Sequence, residues 1–185
     1  MYASKGYTLK TSLTHSAGMS GLTIQIDGRT MGTLSISVDD GYLAAQEIYP
    51  EFIESLRERG AIICEFGQLA IDPHVRSKRI MGAIFHIAVL VALHLRGATD
   101  AVIEVNPRHV SFYQRMLGFS KVGPERRCDR VQAPAVLLHI HASTFLKNIE
   151  KFGGRPEMST HERSFYPYFF HPREEAGLIK RLRGR

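Results

Sequence analysis

The 185-residue chain is 44% hydrophobic and 23% charged, the balance of a globular domain and not of a disordered or collagen-like chain. At this length one domain with a real core is expected. A net charge of +6 favours an acidic partner, whether nucleic acid, anionic lipid or protein, and two cysteines make no disulfide framework and no metal-type spacing.

Taken in chain order, "MYASKGYTLK" lacks the apolar run of a secretory signal. With so few cysteines a reduced, cytoplasmic setting follows. In "GLTIQIDGRTMGTLSISVDD", Asp27-Gly28 is a hairpin dipeptide between two runs of β-formers. "AAQEIYPEFIESLRERG" carries apolar residues at helical spacing, with Pro50 at the start and Gly60 at the stop. "AIICEFGQLAID" is a nearly continuous apolar run, the pattern of a central strand. An apolar helix follows from Ile80 to Arg96, ended by Gly97; it falls short of the roughly 20 residues of a membrane span and reads as a buried helix. "DAVIEV" is a short buried strand, so strand, helix and strand form a βαβ unit with parallel neighbours.

"VSFYQRML" is a short helix stopped by Gly118, and "FSKVGPERR" and "PAVLLHIHA" are strand candidates. The first 150 residues make one domain. Residues 151–185 are expected as an irregular aromatic and basic extension packed on it, with a short basic helix in "REEAGLIKRLRGR".

Several folds hold a phosphate where a strand breaks into a helix, and "EFGQLAIDPHVRSKRIMGAIF" has that shape. Small residues normally line such a loop. Here stand Ser77, Arg79 and Met81, with Gly82 too far along to help.

This order of elements resembles the GNAT superfamily of N-acyltransferases. The likeness lies in "LAIDPHVRSKRIMGAIF" and in "VIEVNPRHVSFYQRMLGF", whose Asn106, Tyr113, Gly118 and Phe119 are similar to that superfamily's signature. A closer resemblance, carried by "GTLSISVDD", "CEFGQLAID", "NPRHVSFYQRMLGF", "APAVLL" and "SFYPYFFHPREEAGLIKRL", is to the bacterial N-acyl amino acid synthases, relatives of the acyl-homoserine-lactone autoinducer synthases. The resemblance implies an α+β fold with a mixed central sheet, a broken central strand and flanking helices. It also implies an enzyme that moves a long-chain acyl group from the phosphopantetheine arm of acyl carrier protein to the amine of an amino acid. Acetyl-CoA-dependent acetylation and a non-catalytic acyl- or carrier-binding module on the same scaffold are the alternatives, and acyl-CoA is the alternative donor.

A carrier-bound donor has one phosphate, so a tight glycine cradle is unnecessary. Positive side chains facing the acidic carrier are expected in its place at Arg76, Lys78 and Arg79. The resemblance implies backbone N–H groups at Leu69, Ala70 and Ile71 for the thioester carbonyl. It implies Glu65 as base or amine orienter, with Gln68 standing where the autoinducer synthases carry a carboxylate-binding arginine. Tyr113 matches the tyrosine that protonates the leaving thiolate, although a phenol near pKa 10 gives a proton reluctantly to a thiolate of about 8.5. Asn106 fixes the strand-to-helix turn or the pantetheine arm. His109, near the C-terminal strand ends where such sheets place ligands, is a second candidate proton acceptor.

His139 and His141 share a strand face, but no third metal ligand stands at an evident spacing. No basic–aromatic pattern of a nucleic-acid module is visible. The implied fold normally opens with a strand and helices, whereas about twenty residues precede the hairpin. "MYASKGY" then matches the end of a first helix, and the acceptor wall is expected from a second subunit or from the tail "SFYPYFF". A homodimer and a peripheral place at the membrane are compatible with these features.

Overall fold

A computed structural model describes residues 9–16, 19–26, 28–75 and 77–183. Its strands are β1 (Leu9–Ser16), β2 (Met19–Ile26), β3 (Arg29–Val38), β4 (Ile63–Ile71), β5 (Asp100–Val105), β6 (Ser120–Lys121), β7 (Arg126–Cys128) and β8 (Ala133–His141). The helices are α1 (Pro50–Glu58), α2 (Lys78–Leu90), α3 (Val110–Leu117), α4 (Ala142–Phe152) and α5 (Pro172–Arg183). The sheet runs β1-β2-β3-β4-β5-β8-β6, with β7 also paired to β8. Only β4 and β5 pair in parallel among the described strands. They are the two joined by α2, as the βαβ reading requires.

The hairpin turns at Gly28, whose φ of +79° is open to glycine without strain. β1, absent from the sequence reading, pairs along its whole length with β2. "MYASKGY" and Asp27 lie outside the described residues.

Two hydrophobic layers flank the sheet. On one face α1 sets Ile53 and Leu56 against Ile63, Val102 and Leu137. Tyr49, fully buried ahead of α1, donates its hydroxyl to the carbonyls of Ala135 at 2.8 Å and Pro124 at 2.9 Å. The larger core lies on the other face, where α2 inserts between the sheet and the C-terminal segment. α2 continues through wider π-type turns over Val91–Leu95. By length and composition Lys78–Leu95 is long and apolar enough to cross a membrane, but 61% of it is buried inside this fold.

The segment after β8 is more regular than its composition suggests. α4 begins where the His141 side chain accepts from the Ser143 N–H, and buries Phe145 and Ile149. It spans residue 150 and ends at Gly153. Further on, Phe165, Tyr166, Phe169 and Phe170 are all buried in the α2 core. Gly82 explains how they come so close: a Cβ there would lie 2.9 Å from Tyr168 Cβ and 3.2 Å from the carbonyl oxygens of Phe165 and Tyr168. The glycine in the apparent phosphate loop thus serves helix packing. The basic C-terminal helix forms as expected, packing Leu178 and Leu182 on the core.

Candidate active site

The parallel pairing of β4 and β5 extends from Ile63/Asp100 to Phe66/Ile103 and stops there. Both strands continue, β4 to Ile71 and β5 to Val105, so they part like the arms of a V. Just at the opening β4 carries a bulge. One residue separates Thr33 from Ser35 on β3, but two separate their partners Gly67 and Ala70 on β4. Gln68 absorbs the extra residue at φ +49°. Gln68 and Leu69 have no cross-strand register partner, as expected for a bulge. The insertion also switches which residues face α2, from Cys64 and Phe66 before it to Leu69 and Ile71 after it.

A cavity of about 660 Å³ opens on the α1 face of this V. Glu65 and Glu104 line it from β4 and β5, and the segment Asp40–Ala44 and the turn carrying Arg130 close over it. Glu65 is 7% exposed and accepts from the Ala45 N–H at 3.2 Å. Burial pushes its carboxyl above the usual carboxylate range, against the pull of that N–H and of the Arg130 charge. Burial likewise raises Glu104, which accepts from Arg130 Nη2. Its other oxygen, Oε1, is buried without a hydrogen-bond partner among the described residues. Arg130 Nη1 also donates to the Ala44 carbonyl at 2.7 Å and lies 3.2 Å from Glu47.

On the α2 face a cavity of about 290 Å³ shares Phe66, Gly67, Gln68, Glu104, Val105 and Asn106 with the first. It shares Leu69, His109 and Tyr113 with a third cavity of about 590 Å³, which reaches Ser77 and Lys78 at the N-terminus of α2. Through these shared walls the three cavities adjoin one another in a row at the parted strands, from the α1 face to the N-terminus of α2, and this row is called the passage.

Of the expected backbone donors, Leu69 and Ile71 line the passage, while Ala70 pairs with Thr33 and does not. Tyr113 lines both α2-face cavities. It is held edge-on by Phe85, Phe112 and Phe119, and its hydroxyl makes no hydrogen bond among the described residues. Burial raises its pKa, making the phenol a weaker acid still. Asn106 stands at the seam and its side chain accepts from the Arg108 N–H at 3.2 Å, across the strand-to-helix turn. His109 is exposed at the passage wall, and its Nε2 accepts from Arg108 Nε at 3.1 Å.

Lys78 lines the far cavity and donates from Nζ to the Arg163 carbonyl at 3.1 Å. Arg79 is exposed one residue on, away from the cavity wall, and Arg76 lies outside the described residues. Ser77 caps α2, accepting from the Ile80 N–H. The tail "SFYPYFF" lies on the α2 face. Its Phe165 lines the far cavity there, where Gly82 admits the tail beside α2.

Glu104 and Arg130 were not singled out in the sequence. The signal for Glu104 was present, a carboxylate inside the apolar strand "DAVIEV". Arg130 sits in a charged stretch whose fold no periodicity reveals. The histidines have other tasks: His139 Nε2 is 2.6 Å from Asp100, and His141 caps α4. Cys64 is core, its thiol pushed up by burial.

The N-acyl amino acid synthase FeeM family model matches residues 1–141. No curated protein sequence matches the chain. Among solved structures, FeeM, an N-acyl amino acid synthase from uncultured soil microbes, is similar with a TM-score of 0.69 at 19% identity, covering 78% of this chain and 96% of that one. A mutant spermidine/spermine N-acetyltransferase SpeG from Vibrio cholerae is similar with a TM-score of 0.50 at 14% identity, covering 72% and 70%. These structures share the fold, a mixed sheet with flanking helices. With a family match over residues 1–141, the chain belongs to the FeeM family of N-acyl amino acid synthases and is an acyltransferase of GNAT fold.

Proposed function

We propose that this enzyme transfers a long-chain acyl group from the phosphopantetheine arm of acyl carrier protein to the amine of an amino acid. The observation that carries the reading is the row of adjoining cavities at the parted strands. It lets a tethered thioester enter beside the N-terminus of α2 and meet an amine waiting on the α1 face, with the carbonyl at the parted strands.

Amide formation needs a neutral amine, a stabilised oxyanion and a protonated thiolate. Glu65, with its raised pKa and place in the α1-face cavity, takes the proton from the acceptor ammonium. The freed nitrogen lone pair attacks the thioester carbonyl, forming the C–N bond. The backbone at the bulge, where Gln68 and Leu69 lack strand partners, supplies N–H groups to the oxyanion. The nitrogen, cationic after attack, gives its second proton to solvent, and collapse then breaks the C–S bond and releases the neutral amide and a thiolate. Tyr113 donates a hydrogen bond to the departing sulfur, and its raised pKa makes a shared proton more apt than a complete transfer. His109 lies on the same wall and relays the proton to the thiolate from solvent.

Lys78 and Arg79 at the start of α2, with Arg76 before them, suit the single phosphate and acidic surface of a carrier protein. Such a donor places the reaction in the cytoplasm. The test is to incubate the purified protein with acyl carrier protein bearing a long-chain acyl group and a mixture of amino acids, then identify products by mass spectrometry. N-acyl amino acids are expected. Acylation of no amino acid with the donor consumed only by hydrolysis would overturn the proposal.

A further inference from the structure

Among the described residues Arg130 is the one lysine or arginine lining the α1-face cavity, among carboxylates. Its contacts are unequal. The Glu104 partner is 12% exposed and lies on the cavity floor, whereas Glu47 is 43% exposed. An exposed ion pair contributes little and is readily exchanged. Glu47 also has a partner waiting, because the Tyr42 hydroxyl donates to it. A planar guanidinium carries five donors, suited to hold two carboxylates at once.

The floor beside Arg130 offers the complementary charge. Glu65 and Glu104 point to the same face from neighbouring parallel strands. Carboxylates for an ammonium group and a guanidinium for a carboxylate thus stand together in one cavity, whose remaining walls include Met19, Val38, Leu43 and Val131. Gln68, at the bulge, has no charge to offer an acceptor carboxylate.

We infer that Arg130 recognises the carboxylate of a zwitterionic, apolar α-amino acid, which displaces Glu47 while Glu104 keeps the guanidinium in place. This rests on the reading of the α1-face cavity as the acceptor site. It assigns specificity to Arg130 and makes Glu47 a competitor of the substrate.

Equilibrium binding to the donor-free protein tests it, by calorimetry with valine, leucine and phenylalanine, each paired with its decarboxylated amine. At least one amino acid is expected to bind about tenfold more tightly than its amine, the size of one charge-assisted contact. Arg130→Gln should erase that preference and Arg130→Lys should restore part of it. Glu47→Gln should tighten amino-acid binding severalfold and leave the amine unchanged, an effect that a merely structural role for Arg130 does not produce. Equal binding of acid and amine by the wild type, no binding of any of the three amino acids, or a Glu47→Gln variant without tighter binding would each overturn the assignment. Because no donor is present, failure of acyl transfer from carrier protein leaves this result standing.

Discussion

The carboxylate of Glu65 accepts the backbone N–H of Ala45 at 3.2 Å, and this bond joins the floor of the α1-face cavity to the segment that closes it. A carboxyl so buried is held above its ordinary pKa mainly by desolvation. The folded state therefore binds its proton more tightly than the unfolded chain does. The stability Glu65 contributes is full below the unfolded pKa of about 4.3 and is lost as pH rises through its higher folded pKa.

Glu65→Gln follows directly. The amide can still accept from Ala45 but no longer has to be desolvated as an anion. The variant is expected to melt at a higher temperature than the wild type at neutral pH, with the difference vanishing in acid. Acyl transfer should fall about 10²–10⁴-fold, the usual contribution of general base catalysis. Thermal melts across pH together with rates check both halves; an active Glu65→Gln enzyme removes the base assignment.

Gln68 occupies the left-handed region at φ +49°, which costs a side-chain-bearing residue roughly 1–2 kcal/mol. Gln68→Gly relieves that strain but frees the unfolded chain, so a net gain of at most about 1 kcal/mol is expected. Urea unfolding measures it. Deletion of Gln68 removes the extra residue and should abolish acyl transfer while near-native secondary structure remains by circular dichroism.

The C-terminal segment is pinned to α2 at Gly82 and at His86, whose Nδ1 accepts from the Phe170 N–H at 2.9 Å. Gly82→Ala puts a methyl against backbone carbonyls and should cost about 1–3 kcal/mol, as overpacking does. Limited proteolysis should then cut between residues 153 and 172 before the rest of the chain. Burial lowers the His86 pKa, against the charge of Glu175. Stability from His86 is thus present above the unfolded histidine pKa of about 6.5 and is lost as pH falls below it. Tail protection in hydrogen exchange should weaken first on acidification.

The βαβ unit, the hairpin and the stops at Gly60, Gly97 and Gly118 were legible because periodicity and glycine placement are local signals. Glu65 was singled out through the family resemblance, and it lines the α1-face cavity. The Arg130 contacts to Ala44 and Glu104 bridge 86 and 26 positions in sequence, and no local pattern encodes them. The bulge was hidden because "FGQLA" has the composition of an unbroken strand. α4 was obscured by reading on from the strand "HIHA", although Phe145, Ile149 and Phe152 keep helical spacing. The place of the tail was not legible, because its anchor is the close approach of Gly82 to Phe165 and Tyr168, more than 80 positions away in sequence.

The most direct test of a carrier-tethered donor compares kcat/KM for the same long acyl chain on acyl carrier protein and on coenzyme A, with and without charge reversal at Lys78 and Arg79. The account predicts that the carrier-bound donor is preferred by the wild type, that the double variant loses about tenfold or more on it while changing little on coenzyme A, and that added salt narrows the difference. Equal use of both donors by the wild type, with the double variant affecting both alike, would contradict it.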